Sequence, residues 1–308
     1  MPSLWTMMLA KLDRGGIAIA LLSTATWATA GIFIRWLPGW PPSAILAGRF
    51  LIAAIALLPI VLSHNIRREL LLSARSPFIW LLSLPMIGGY LLGTTAFQLA
   101  PIGEVTLFIS TSPLFVVAYK LITRIRIHKG EGTGTAIALS GIGLIALPEV
   151  STIGSTSWQT LTGYLLALSA AALLAAYVLG FNAATRKGIQ ISSTNVVFIT
   201  CVLGCGLSFL RASFLPESVR AIALNSTTLS VLLGLGILST ALSTLLYTIA
   251  AQRLPVLLAA ALLLTEPIFA VLFASALLQE YPSIWFRFGS AFVLVGLLKI
   301  AKADTKAA

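Results

Sequence analysis

Ala96-Phe97-Gln98-Leu99-Ala100-Pro101 and Thr111-Ser112-Pro113-Leu114-Phe115 have counterparts half a chain later, in Ala250-Ala251-Gln252-Arg253-Leu254-Pro255 and Thr265-Glu266-Pro267-Ile268-Phe269. Six identities, at Ala96, Gln98, Pro101, Thr111, Pro113 and Phe115, fall at a single offset of 154 within one 20-residue window. Gly134 and Gly141 continue the series as Gly289 and Gly296, with equal internal spacing after one inserted residue. Self-similarity at half the chain length reads as two copies of one structural unit.

The unit belongs in a membrane. Of 308 residues, 58% are hydrophobic and 9% charged, with mean hydropathy +0.99, whereas a soluble domain is ~45–50% apolar and ~25% charged. A bilayer core about 30 Å thick needs roughly 20 mostly apolar residues per helical span. Stretches of that kind predict ten spans: 16–37, 43–63, 77–99, 102–122 and 133–147 in the first half, then 158–181, 192–213, 227–251, 255–277 and 284–301. The expected fold is an all-α membrane protein with two five-helix repeats, 16–154 and 155–301, between a cytoplasmic N-terminus (1–15) and a cytoplasmic tail (302–308). An odd number of spans per repeat makes the second copy enter the membrane from the opposite side. Such inverted repeats hold substrate near the midplane between the halves.

The formal net charge of +11 would suit a nucleic-acid binder if the charge were spread evenly, but its positions point elsewhere. Lys11, Arg14, Arg67, Arg68, Arg75, Lys120, Arg124, Arg126, Lys129, Arg186, Lys187, Arg253, Lys299, Lys302 and Lys306 all fall on one side of the predicted spans, leaving Arg35, Arg49, Arg211, Arg220 and Arg287 for the other. Cytoplasmic loops collect Lys and Arg, so both termini are expected in the cytoplasm, in a bacterial-type inner membrane, with lipid as the surrounding partner and no nucleic acid. Ala28-Thr29-Ala30 has the form of a signal-peptidase site, yet the apolar run continues to Leu37 and completes the charge alternation. Cys201 and Cys205 have no zinc or disulfide pattern and read as small packing residues.

The Thr111-to-Phe115 and Thr265-to-Phe269 pair resembles the fourth and ninth helices of the drug/metabolite transporter superfamily, EamA branch. Trp27, Gly48-Arg49-Phe50 and the closing glycines Gly141, Gly143 and Gly296 fit the same pattern, and the resemblance covers nearly the whole chain. Within the superfamily the chain is most similar to YddG-type aromatic amino-acid exporters. The resemblance implies export from the cytoplasm. The second repeat departs from the pattern where Leu203 stands at the offset position of Arg49, so a symmetric arginine in both halves is not expected.

Pro113 and Pro267 lie near the centres of their spans, where proline removes a backbone hydrogen bond and frees the carbonyls of Ile109 and Leu263. Interruptions at matching positions point to a binding site or hinge, although packed kinks are also common in membrane helices. Glu266 is the one carboxylate expected near the midplane. An ionised group there costs at least ~2.5–3.5 kcal/mol, which leaves three roles open: substrate contact, proton-coupling acid, or a carboxyl tying helices together. Tyr90, Thr94, Phe97 and Gln98 share a face of the third span, and Thr240, Ser243, Thr244, Tyr247 and Thr248 share one of the eighth. Either stripe can line a cavity or pack helices closely. Phe108, Thr111, Ser112 and Thr265 flank the prolines, and Trp27 and Tyr177 are aromatic candidates in the opening spans of the two repeats. Trp36, Trp40, Trp158 and Trp285 read as interfacial anchors. Arg49 could bind a carboxylate, snorkel to headgroups, or serve structure or gating. Lys120 reads as a snorkelling residue, Glu104 as solvated, and Gly130-Glu131-Gly132-Thr133-Gly134 as a flexible turn lacking the order of a phosphate loop.

These residues narrow the function. No His or Asp lies in the spans to build a nucleophile–base pair or metal site, so an enzyme is not expected, nor is a cofactor. A carrier of phosphorylated substrates would need several buried Lys or Arg residues. The expected cavity is aromatic, hydroxylic and nearly neutral, which suits amino acids, aromatic or other neutral ones especially, exported by a monomeric secondary transporter through alternating access. Export of drugs or lipophilic cations by the same fold is the alternative, and a passive channel is the alternative of another class.

Overall fold

A computed structural model of the chain describes residues 14–151, 155–186, 193–214, 225–254 and 262–304. Lys11, Lys187, Arg220, Pro255, Lys306 and the side chains of Arg68, Arg186 and Gln252 lie outside what it describes.

The described residues form helices joined by short turns and loops. The first span is α1 (Arg14–Ala28) and α2 (Ala30–Arg35), separated only by Thr29. Then come α3 (Pro42–Val61), the short α4 (His64–Ala74), α5 (Pro77–Leu99), α6 (Ile102–Ile109), α7 (Ser112–Ile122) and α8 (Lys129–Ser151). The second half holds α9 (Ser155–Arg186), α10 (Ser193–Phe214), α11 (Ser226–Leu233), a π-helical segment over Gly234–Leu242, α12 (Ser243–Arg253), α13 (Glu266–Leu277) and α14 (Ile284–Asp304). Nine helical stretches among the described residues are long and apolar enough to cross a bilayer, and α13 is a shorter apolar helix. The chain is therefore an all-α, multi-pass membrane protein. Starts are set locally: Pro42 and Pro77 occupy the first helical turns of α3 and α5, where their missing N–H costs nothing. Asn225 and Thr228 close a reciprocal capping box on α11, at 2.8 and 3.0 Å.

Packing joins the halves helix by helix. α1 lies on α12, α3 on α10, α5 on α9, α6 on α13 and α8 on α14. The α8–α14 crossing is the closest. A Cβ on Gly134 would meet the carbonyl of Gly296 at 2.6 Å, and one on Gly296 would meet that of Gly134 at 2.5 Å. Gly141 and Gly289 oppose each other in the same way, at 2.5 and 2.7 Å. Without side chains at these positions the two backbones touch, which is how small residues drive helix association in lipid. Large apolar side chains such as Ile55, Leu81, Leu165 and Phe288 point outward and are exposed, a surface that only lipid would cover without cost.

One end of the bundle is clasped. Arg35 Nη2 meets Glu280 Oε1 at 3.3 Å and donates to the Ala100 carbonyl at 2.8 Å. Glu280 Oε2 accepts the Ile102 N–H at 3.1 Å. Gln98 Nε2 donates to the Trp40 carbonyl at 2.9 Å. At the opposite end the structure corrects two expectations. Lys120 does not snorkel: it pairs with the buried Glu131 at 2.6 Å, while Glu131 also accepts the His128 N–H at 2.9 Å. The stretch from Gly130 to Gly134 is the first part of α8 rather than a flexible turn, because that carboxylate satisfies an N-terminal donor and suits the positive end of the helix. Glu104 is likewise not simply solvated, since it is half-buried and accepts the Tyr164 hydroxyl. Arg124 and Gln279, which close α7 and α13, are the two non-glycine residues with positive φ among those described, both at 57°.

Candidate functional site

The chain is broken just before Pro113 and just before Pro267, and by the same local chemistry. Thr111 directs its N–H (3.1 Å) and its hydroxyl (2.6 Å) to the Phe108 carbonyl. Thr265 does the same to Leu262, at 3.0 and 2.6 Å. A threonine that captures the carbonyl three residues back ends one helix and begins another. Ser112 and Glu266 are then first residues of α7 and α13, and Pro113 and Pro267 are second. At that position proline gives up only an N–H that would have no intrahelical partner. The prolines thus sit at helix starts inside the spans and not within continuous kinked helices. Glu266 lies on the positive end of α13 and within electrostatic reach of Arg49.

Arg49 is 3% exposed, so the structure removes the snorkelling reading. Its Nε donates to Thr240 Oγ1 at 2.6 Å, its Nη2 to the Ser239 carbonyl at 3.3 Å, and its guanidinium lies 4.5 Å from the Tyr90 ring centroid. A buried charge is tolerated only when hydrogen bonds replace its water, and the π segment supplies them. Within it the Thr240 hydroxyl donates five residues back, to the Leu235 carbonyl, at 2.9 Å. The wide helix is admitted by glycines: a Cβ on Gly234 would meet the Phe33 ring at 2.5 Å, and one on Gly236 would meet Ile52 at 2.6 Å.

A ladder of hydroxyls ties the first span to the eighth and ninth. Ser23 donates to the Ser243 carbonyl at 2.7 Å, Thr29 and Ser239 share a hydrogen bond at 2.7 Å, and Thr24 and Thr265 share one at 3.1 Å. Beside this ladder the aromatic residues gather. Trp27 and Tyr247 lie 5.5 Å apart, centroid to centroid, and Tyr90 packs edge-on against Phe50 at 5.4 Å. Tyr177 is within electrostatic reach of both Tyr90 and Tyr247. Trp27, Tyr90, Tyr177, Tyr247, Thr265 and Glu266 are all half-buried. Thr94 is buried, and its hydroxyl has no hydrogen-bond partner among the described residues.

The remaining candidates sit elsewhere or serve packing. Gln98 belongs to the clasped end. Phe97 is buried against Gly31, and Phe108 packs edge-on against Tyr164 at 4.8 Å. Ser243 and Thr244 are buried, with hydroxyls on the Thr240 carbonyl at 3.2 and 2.7 Å. Thr24, Thr29 and Ser239 were not singled out from sequence, since isolated hydroxyl residues in an apolar span carry no pattern of their own. No group of His, Cys, Asp or Glu suited to a metal ion occurs among the described residues.

Comparison with solved structures finds a crystal structure, described only as that of a protein, with TM-score 0.65 and 19% identity, covering 96% of this chain and 99% of that one. That likeness concerns the fold alone. A comparison with curated proteins finds no match. The model of the EamA-like transporter family matches residues 14–147 and again 161–301. With most of its length matched in these two segments, the chain belongs to the EamA-like transporter family, and it is a membrane transporter rather than an enzyme.

Proposed function

We propose that the chain is a monomeric secondary transporter that exports amino acids, aromatic and other neutral ones, from the cytoplasm across a bacterial-type inner membrane. The observation that carries the proposal is the half-buried group of Trp27, Tyr90, Tyr177 and Tyr247, drawn from both halves, with the Glu266 carboxylate within electrostatic reach of Tyr90 and with Thr94, whose hydroxyl has no partner among the described residues, one turn along α5 from Tyr90. Aromatic walls bind an apolar side chain, while a carboxylate and a hydroxyl address an ammonium group. Arg49, although engaged, places positive charge within reach of the same region, as a substrate carboxylate would require. This composition favours the YddG-type branch among the family's possible substrates.

In this reading the repeats are 16–154 and 155–301, related by a two-fold axis in the membrane plane, with both termini cytoplasmic. The helix pairs support it: exchanging the halves turns α1–α12 into α9–α5 and returns α3–α10 and α8–α14 to themselves. The opposed glycines exchange in the same way. Alternating access then follows as rocking of one half on the other, with the breaks before Pro113 and Pro267 as hinges.

Counterflow in proteoliposomes tests the proposal, with radiolabelled phenylalanine, threonine and methionine set beside choline and a lipophilic cation. Saturable amino-acid flux accelerated by substrate on the far side is expected. Movement of the cations alone would make the chain a drug exporter, a reading favoured by the same carboxylate among aromatic rings. Saturable flux without acceleration would make it a channel.

A further inference from the structure

A groove of about 290 Å³ runs down one flank of the bundle, between α6, α13 and α14. None of the Trp27 group lines it. Leu107, Pro267 and Phe286 in its wall are buried, while Ile268 and Leu272 on α13 are 49% and 57% exposed. Arg287 is the one charged residue of the lining; it is exposed and forms no ion pair among the described residues. Close by in sequence stand Tyr281 and Trp285, 75% and 43% exposed, residue types that collect at headgroup level. Since α14 begins at Ile284, Arg287 stands at that depth. From there the lining descends α14 through Ser290 to Leu294, about 10 Å of helix rise, and reaches Pro267 and Ile268 in the first turn of α13.

We propose that this groove holds an acyl chain of an anionic phospholipid, whose phosphate rests on Arg287. Apolar walls that open onto a bilayer gain dispersion contacts from hydrocarbon that fits between them. A long basic side chain near the end of a span extends to the headgroups, and the planar guanidinium fork matches two oxygens of a phosphate. Basic residues between membrane helices recognise anionic headgroups in this way. A zwitterionic lipid brings its own cation to the phosphate, so a headgroup without one gains more from Arg287. A chain seated here lies against Pro267 and Ile268, next in sequence to Glu266, and its presence therefore bears on the break that begins α13. The proposal rests on the membrane-spanning fold and is independent of the transported substrate.

The test uses the purified full-length chain, delipidated in detergent and titrated with dioleoyl phosphatidylglycerol, with dioleoyl phosphatidylcholine, or with oleate. Native mass spectrometry counts the lipid retained per chain, and the melting midpoint is followed in parallel. One phosphatidylglycerol, held about tenfold more tightly than phosphatidylcholine, is expected. Arg287→Gln, at an exposed side chain, should weaken its retention about tenfold through loss of the charge-assisted contact. Leu272→Trp, which narrows the rim, should weaken it about threefold. Arg67→Gln removes an exposed cation on α4, at the other end of the bundle, and should leave retention unchanged. Phosphatidylglycerol should raise the midpoint of the unaltered chain and leave that of Arg287→Gln level over the same titration. Equal retention of the two phospholipids, a loss in Arg67→Gln as large as in Arg287→Gln, or retention indifferent to both Arg287→Gln and Leu272→Trp overturns the proposal. Tighter binding of oleate overturns it as well, by giving the groove to a free fatty acid. No transport is measured, so this proposal and the amino-acid reading fail separately.

Discussion

Replacing Gly296 by alanine puts a methyl group 2.5 Å from the Gly134 carbonyl oxygen and 2.6 Å from the Ala138 amide nitrogen. Both are backbone atoms of α8, so no side chain can swing aside. Restoring an ordinary contact of 3.4 Å requires α8 and α14 to part by about 0.9 Å. A gap of ~0.5–1 Å forfeits a quarter to a half of each affected dispersion contact, and overpacking of this kind costs about 1–3 kcal/mol. Alanine's better helix propensity returns up to ~1 kcal/mol. Gly143 provides the internal control: it lies on α8 as well, but a Cβ there meets nothing within 4 Å, so Gly143→Ala should be neutral or slightly stabilising. At roughly 2–4 °C per kcal/mol, the melting midpoint of Gly296→Ala in detergent should fall by several degrees while that of Gly143→Ala holds or rises. Fluorescence-detected size-exclusion chromatography after heating reads both. Equal midpoints for the two variants, or a Gly296→Ala variant as stable as the unaltered chain, would refute the contact argument.

Arg49→Lys keeps the charge but loses the Nε contact to Thr240 and the guanidinium contact over the Tyr90 ring, so its midpoint should drop nearly as far as that of Arg49→Met; a lysine variant of full stability would show that charge alone matters there. Trp27→Ala removes the cross-half aromatic contact and should weaken amino-acid binding about 2- to 10-fold, measured by scintillation proximity; undiminished affinity would take the Trp27–Tyr247 pair out of the site. Glu280→Gln opens the clasp, so a cysteine placed at the buried Ala100 should react faster with a water-soluble maleimide, and an unchanged rate would mean that the ion pair does not hold that end shut.

The parts legible in sequence were those carried by residues with one physical meaning. Thr111-Ser112-Pro113 and Thr265-Glu266-Pro267 marked interrupted spans because the same threonine and proline recur at matching positions, and the structure breaks both there, whereas Pro59, Pro85 and Pro148 lie inside continuous helices. Gly134, Gly141, Gly289 and Gly296 stood out by spacing, although only the coordinates reveal that they oppose one another. Residues whose meaning depends on their partner were not legible. Arg49 could not be separated from a snorkelling residue until the π segment supplied its acceptors, and nothing in Gly234-Leu235-Gly236 announces a change of helix type. Gln98 shares a face with Tyr90 and Thr94 in projection, yet two turns along the axis carry it to the end of the bundle. Lys120 and Glu131 face each other across a turn whose shape depends on the left-handed Arg124, a conformation that no arginine suggests by itself.

Glycines in membrane helices are usually read as points of weakness, and those of the π segment have a different office. A helix with an extra residue in each hydrogen-bonded ring is stouter than its neighbours, and the slot it occupies, bounded by Phe33 and Ile52, has ordinary girth. Gly234 and Gly236 are clearances: they subtract width where the backbone has added it. They also set depth, because a helix held off by even one methyl would withdraw Ser239 and Thr240 from the reach of Arg49 and leave that charge in a dry seam without its acceptors.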